Sequence, residues 1–184
     1  MTYKFECDYF TPNSAYFINH LSKYKDTKLD CLEIGSFEGR SAVWMLENIL
    51  THPQSSITCV ESNGMDSLNI LSYNLSEFAD KVRLIIQPST LGLSTLIVEK
   101  RQFDFIYIDG QHDEYMPLSD LVMAHELLKV GGIMAVDDYL LPDSKEYGKC
   151  TIRKCFDNFI EVYQEYYERF TAPDSFQQWM RKCR

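Results

Sequence analysis

The chain has 184 residues, of which 45% are hydrophobic and 14% aromatic, enough for one sizeable buried core and too apolar for an intrinsically disordered segment. Its formal net charge is −9 and its lysines and arginines are scattered, so no basic stripe offers itself to a phosphate backbone and nucleic acid is not expected as a partner. No apolar run suits a signal peptide near Met1 or a membrane span later, and the six dispersed cysteines lack any Cys-x-x-Cys pair; a cytoplasmic protein with reduced thiols and no membrane partner is expected.

In chain order, Thr11-Pro12 predicts an N-cap and first helical residue, followed to Tyr24 by a short amphipathic helix with Ser14, Phe17, Ile18 and Leu21 on one face, lying over the sheet edge or a ligand mouth. Residues 28–34 predict an apolar strand (Leu29, Cys31, Leu32, Ile34) that breaks at Gly35 and restarts as a helix after Gly39. Strand, glycine turn and helix N-terminus together form a place where backbone N–H groups can meet a ligand at the carboxyl edge of an open α/β sheet. The spacing Glu33-x-Gly35-x-x-x-Gly39 is not the Gly-x-Gly-x-x-Gly of dinucleotide-binding turns, and Glu38 inside it would repel a pyrophosphate. A ligand with a cationic centre and its own carboxylate fits better, and a nucleotide-linked oxidoreductase is disfavoured.

Residues 41–50 predict the first crossover helix, with Ala42, Met45, Leu46 and Ile49 at helical spacing. Residues 57–60 predict a second strand ending in Glu61, about twenty residues past the turn, where doubly wound folds place an acid that accepts from both ribose hydroxyls; a solvated strand-end acid is the plain alternative. A helix over 68–78 and a strand over 82–86 lead to Gln87-Pro88-Ser89, which reads as a turn and a cap for a helix over 91–99. The strand over 103–108 is almost wholly apolar, the mark of a parallel strand buried on both faces, and runs into Asp109. A helix over 118–130, with Leu118, Leu121, Val122 and Leu128 buried and Gly131-Gly132 as its C-cap, precedes a strand over 133–136 that runs into Asp137-Asp138. Residues 150–166 carry the clearest helical stripe, and 167–183 can form two closing strands as a hairpin.

Three carboxylates thus stand at the ends of neighbouring strands. Carboxyl ends of parallel strands open on one edge, so Asp109, Asp137 and Asp138 should converge beside the Gly35 turn, where mutual repulsion calls for a divalent cation such as Mg²⁺; from position alone, acids that merely meet solvent fit equally well.

Glu33-x-Gly35-x-x-x-Gly39 resembles motif I of the class I S-adenosylmethionine-dependent methyltransferases. Asp109-Gly110-Gln111-His112, Leu127 to Gly132 and Ala135-Val136-Asp137-Asp138 resemble the cation-dependent small-molecule O-methyltransferases, catechol and caffeoyl-CoA types included, and a related short bacterial group with an Asp-Gly-x-His turn and Asp-Asp-Tyr. The resemblance covers residues 28 to 140. It implies a doubly wound, mostly parallel seven-stranded sheet with a C-terminal antiparallel hairpin, in one domain. Residues 1–27 would form an N-terminal segment, 28–140 a cofactor-binding core, and 141–184 an acceptor loop, helix and closing strands.

It also implies S-adenosyl-L-methionine as cofactor, held by Glu33, Gly35, Ser36, Gly39, Ser41, Glu61, Gln87, Ser89 and Asp109, and Mg²⁺ or another divalent cation on Asp109, Asp137 and Asp138. The catechol-type enzymes place a lysine base three residues after the strand-four aspartate, and this chain has His112 there. A catalytic pair of His112 and Asp109 is therefore expected, against the plainer view of His112 as a surface loop residue. The implied partner is a small hydroxylated acceptor walled by Tyr115, Tyr139 and the 140–149 loop, with a homodimer possible. A non-catalytic S-adenosylmethionine-binding subunit or sensor is the alternative from another class.

Overall fold

A computed structural model describes residues 2–144 and 148–184. Its elements in chain order are α1 (Ser14–Leu21), β1 (Asp30–Ile34), α2 (Arg40–Asn48), β2 (Ser56–Glu61), α3 (Met65–Leu75), β3 (Val82–Ile86), α4 (Ser89–Val98) and β4 (Phe103–Ile108). They are followed by α5 (Met116–Leu127), β5 (Leu128–Val136), α6 (Ile152–Tyr163), β6 (Tyr167–Arg169) and β7 (Gln178–Lys182). The strands form one sheet in the order β3-β2-β1-β4-β5-β7-β6. β1 to β5 pair in parallel, and β7 pairs antiparallel with both β5 and β6, giving the expected seven strands and closing hairpin.

The period-two alternation of strand side chains divides the core into two layers. Cys31, Cys59, Phe105, Tyr107, Ala135 and Trp179 meet α1, α2 and α3 on one face. Leu32, Ile34, Val60, Ile106, Met134 and Met180 meet α4, α5 and α6 on the other. Phe17 of α1 sits in an aromatic cluster with Phe10, Trp44, Phe105, Tyr107 and Trp179. This cluster fastens the N-terminal segment to the sheet directly beneath the carboxyl ends of β4 and β5. Among the described residues no helix is long and apolar enough to cross a membrane.

Several local expectations are corrected. The helix expected over 118–130 stops at Leu127, because Leu128 turns extended (φ −86°, ψ 127°) and pairs with Phe103. Gly131-Gly132 is therefore no C-cap: the two glycines lie inside β5 at a register irregularity between Phe103 and Phe105, with Gly131 at φ +85°. Thr11 does not cap α1; it begins a 3₁₀ turn whose first amide donates to Asp8 Oδ1 at 2.9 Å. Val122, expected to be buried, is 38% exposed, and Ile18, expected on one face with Phe17 and Leu21, is 51% exposed, since both buried stripes are narrower than the apolar positions suggest. Ser89 opens α4, and Pro88 stands at its N-cap.

Candidate active site

The carboxyl ends of β1, β2, β4 and β5 and the N-terminal segment enclose one cavity of about 1020 Å³. Gly35, Ser36, Ser41, Glu61, Gln87, Ser89, Asp109, His112, Asp137 and Asp138 all contribute to its wall. Glu33 and Gly39 do not line it: the first is fully buried beneath the turn, and the second packs toward Leu71.

The Gly35 turn is built by loop packing as much as by ligand access. Gly35 has φ +83°, and a Cβ there would lie 2.1 Å from the Asp109 carbonyl oxygen, so the ends of β1 and β4 approach to a distance that only glycine permits. The turn is further braced by Glu33, whose Oε2 accepts from Ser36 Oγ at 2.6 Å and whose Oε1 accepts from Ser41 Oγ at 2.5 Å. Burial pushes the Glu33 carboxyl up to about 7, partly offset by these hydroxyl donors. Glu61 is anchored by backbone: Oε2 accepts from Phe37 N at 2.5 Å, Oε1 from Ser62 N at 2.6 Å and Asn63 N at 2.8 Å. A carboxylate has about four acceptor sites, so Glu61 retains capacity for a ligand hydroxyl at the cavity wall.

The other side of the mouth is organised differently. Asp138 has φ +57°, a left-handed conformation that aspartate adopts more readily than most residues, and its Oδ2 lies 2.9 Å from His112 Nε2. Ligand atoms of Asp109, His112 and Asp138 all fall within 4.8 Å of one another. Burial, then the charges of Asp137, Asp138 and Glu33, push the Asp109 carboxyl well above the usual range. Burial and Asp138 raise Asp137 to about 6, against the pull of its own hydrogen bonds.

Asp137 stands beside this cluster with its oxygens already engaged. Oδ2 accepts from the Tyr107 hydroxyl, from Gln177 Nε2 at 2.9 Å and from Asn13 Nδ2 at 3.4 Å, while Oδ1 accepts from the Asp138 amide at 2.8 Å. Tyr107, Gln177 and Asn13 were not singled out in the sequence. Tyr107 could have been, because it precedes Asp109 by two residues on a strand and so shares its face; Gln177 and Asn13 arrive only through tertiary packing.

The expected acceptor wall is largely elsewhere. Tyr115 is 65% exposed and outside the cavity lining. Tyr139 is buried, with its hydroxyl donating to Asp157 Oδ1 at 2.8 Å and its ring against Phe156. Leu141 of the expected 140–149 loop does line the cavity, and Phe176, Met116 and Phe10 supply further apolar wall. Residues 145–147 of the expected loop lie outside the described residues.

A methyltransferase-domain family model matches residues 32–139. An O-methyltransferase from Aspergillus hancockii is 31% identical over 107 residues, which are 58% of this chain and 41% of that protein. Caffeoyl-CoA O-methyltransferase 1 from Eucalyptus globulus is 31% identical over 128 residues, 67% of this chain and 50% of that one. The chain thus spans about half the length of these curated relatives. Among solved structures, an O-methyltransferase from Bacillus cereus in complex with SAH aligns with a TM-score of 0.70 at 17% identity, over 94% of this chain and 82% of that one. MycE methyltransferase from the mycinamycin biosynthetic pathway, in complex with Mg, SAH and mycinamycin VI, aligns at 0.69 with 14% identity, over 97% and 51% of the two chains. At these identities the structural likeness establishes the common fold, and the matched model covers more than half of the sequence. The chain belongs to the methyltransferase domain family.

Proposed function

We propose that this protein transfers a methyl group from S-adenosylmethionine to a hydroxyl of a small molecule, with a divalent cation at the site. The observation that carries the reading is the convergence of Asp109, His112 and Asp138 in the same cavity as the Gly35 turn. The names of the relatives, O-methyltransferases of the caffeoyl-CoA type among them, support the same reaction class.

Two facing carboxylates are hard oxygen donors that suit a divalent ion, and the repulsion felt by Asp109 is relieved by a positive charge there. Asp109 and Asp138 would hold the ion, with His112 in reach of it and Asp137 bracing Asp138 through its amide. When bound, such an ion neutralises the acids and makes a neighbouring acceptor hydroxyl more acidic. S-adenosylmethionine brings the reactive methyl group, and the protein supplies orientation.

The chain's own residues then divide the work. Glu61 accepts from ribose hydroxyls, Gln87 and Ser89 flank the adenine, and Ser36 and Ser41, set by Glu33 below them, shape the turn against the methionyl portion. His112 takes the proton of the acceptor hydroxyl. Asp138 at 2.9 Å stabilises the imidazolium that forms. Leu141, Phe176 and Met116 present apolar surface to the acceptor and help exclude water from the transfer.

The test is formation of S-adenosylhomocysteine from S-adenosylmethionine with a panel of catechols and vicinal-hydroxyl sugars. Turnover that disappears with a chelator and in Asp138→Asn supports the reading. Binding of S-adenosylmethionine without turnover of any acceptor would favour a cofactor-binding subunit, and preferential binding of NAD would overturn the assignment.

A further inference from the structure

The turn that carries His112, between β4 and α5, is held from outside the cavity by the start of α6. Thr151 stands at the N-cap of α6, where a threonine hydroxyl ordinarily accepts from an amide of the first helical turn, yet its side chain makes no such bond. The hydroxyl turns away from its helix: Oγ1 donates to Glu114 O at 2.8 Å, with His112 O second at 3.3 Å, and the Thr151 amide donates to His112 O at 2.8 Å. Cys155, one turn along α6, adds its thiol to Glu114 O at 3.9 Å. The two carbonyls that flank Asp113 are thus both taken by the residue that opens α6, 39 and 37 residues away in sequence. Glu114 has φ +53°, in the left-handed region that glutamate keeps only where its surroundings impose it. Its side chain is exposed, and the bonds from α6 fall on its carbonyl. Two residues back, His112 Nε2 lies 2.9 Å from Asp138 Oδ2 at the cavity wall. On the other side of Thr151, the Cys150 amide donates to Asp143 Oδ1 at 2.9 Å, in the loop whose Leu141 lines the cavity. One point at the start of α6 therefore anchors both the His112 turn and the apolar wall.

We propose that Thr151 is a positioning residue for methyl transfer: by donating to the Glu114 and His112 carbonyls, its hydroxyl fixes the turn so that the imidazole meets Asp138 and the acceptor hydroxyl. The proposal rests on the reading of His112 as the base and adds to it a residue outside the cavity lining. Because the hydroxyl caps nothing in α6, its removal leaves the helix's own bonds in place. Because it acts as a donor to backbone, serine can replace it, whereas valine, of nearly the same shape, cannot.

Wild type, Thr151→Val and Thr151→Ser test this through two readouts: the imidazole signals of the four histidines in NMR spectra, and the steady-state kinetics of S-adenosylhomocysteine formation. Thr151→Val is expected to move the His112 signals while those of His20, His52 and His125 stay in place. It should lower kcat about tenfold and keep the acceptor KM and the S-adenosylhomocysteine affinity within about twofold; Thr151→Ser should restore both readouts. An unchanged kcat in Thr151→Val would overturn the positioning role and leave the methyltransferase reading standing. So would movement of all four histidine signals together, the mark of a general loosening of the fold. Failure of wild type to turn over any acceptor would remove the base role of His112 and the positioning role with it.

Discussion

The two sides of the cavity mouth use the same residue type in the same topological position with opposite results. On the β1/β2 side, Glu33 and Glu61 close their strands with both oxygens occupied, one by serine hydroxyls and the other by backbone amides. On the β4/β5 side, Asp109 and Asp138 face each other and His112, and only Asp137 is fully engaged by neighbouring donors. The supply of local donors thus decides whether a strand-end acid is satisfied within the protein or left facing other acids. Where amides and hydroxyls converge, the geometry of the side chain is fixed; where carboxylates converge, their mutual repulsion adds to burial and pushes Asp109 and Asp137 up. On the function proposed above, the cofactor would lie on the first side and the chemistry on the second.

The largest effect should come from breaking the second side alone. Asp109→Asn and Asp138→Asn are expected to cut turnover by about 10² to 10³ while S-adenosylhomocysteine affinity changes by no more than about threefold; parallel kinetics and calorimetry check both. Equal losses in binding and turnover would erase the distinction between the sides. Next is Gly35→Ala, which joins them. Its Cβ would lie 2.1 Å from the Asp109 carbonyl oxygen at φ +83°, so stability should fall by about 4 kcal/mol, read from urea unfolding. A variant as stable as wild type would refute the close approach.

On the first side, Glu33 links fold to pH. Its carboxyl is raised from 4.5 to about 7, so the folded state disfavours its ionisation. The stability linked to this group is complete below about pH 4.5 and is lost as the pH rises through about 7, in total by roughly 3 kcal/mol. Glu33→Gln should flatten that decline in a series of unfolding curves from pH 4 to 8, and an unchanged slope would contradict burial of the charge. The smallest effect belongs to Tyr107→Phe, which removes one of the donors to Asp137 and leaves Gln177 and Asn13 in place. A loss of about 1 kcal/mol is expected, measurable as a shift of the urea midpoint.

Much of the frame could be read from patterns local in the chain. β3 and β4 fall on their expected residues because apolar runs ended by Gln87 and Asp109 leave little freedom, and the strand order follows from alternating strands and helices. The errors share a cause: Leu127 to Gly132 satisfies both a helix ending in glycine and a strand beginning at leucine, and only pairing of Leu128 with Phe103 decides between them. At the site, strand-end position located Glu61, Asp109, Asp137 and Asp138 at one cavity. Which acid would be satisfied internally depended on Gln177 and Asn13, 40 and 124 residues from Asp137 in sequence, and no spacing rule reaches that far. Tyr139 illustrates the same limit, since its orientation toward Asp157 and Phe156 follows from the docking of α6.

The division of labour across the mouth is tested most directly by calorimetric titration of Mg²⁺ into protein saturated with S-adenosylhomocysteine, wild type beside Asp138→Asn. The expected result is saturable Mg²⁺ binding in wild type, at least about tenfold weaker in the variant, with equal S-adenosylhomocysteine affinity in both. Superimposable Mg²⁺ isotherms for the two proteins, or no saturable binding in either, would contradict a cation site built from Asp109 and Asp138.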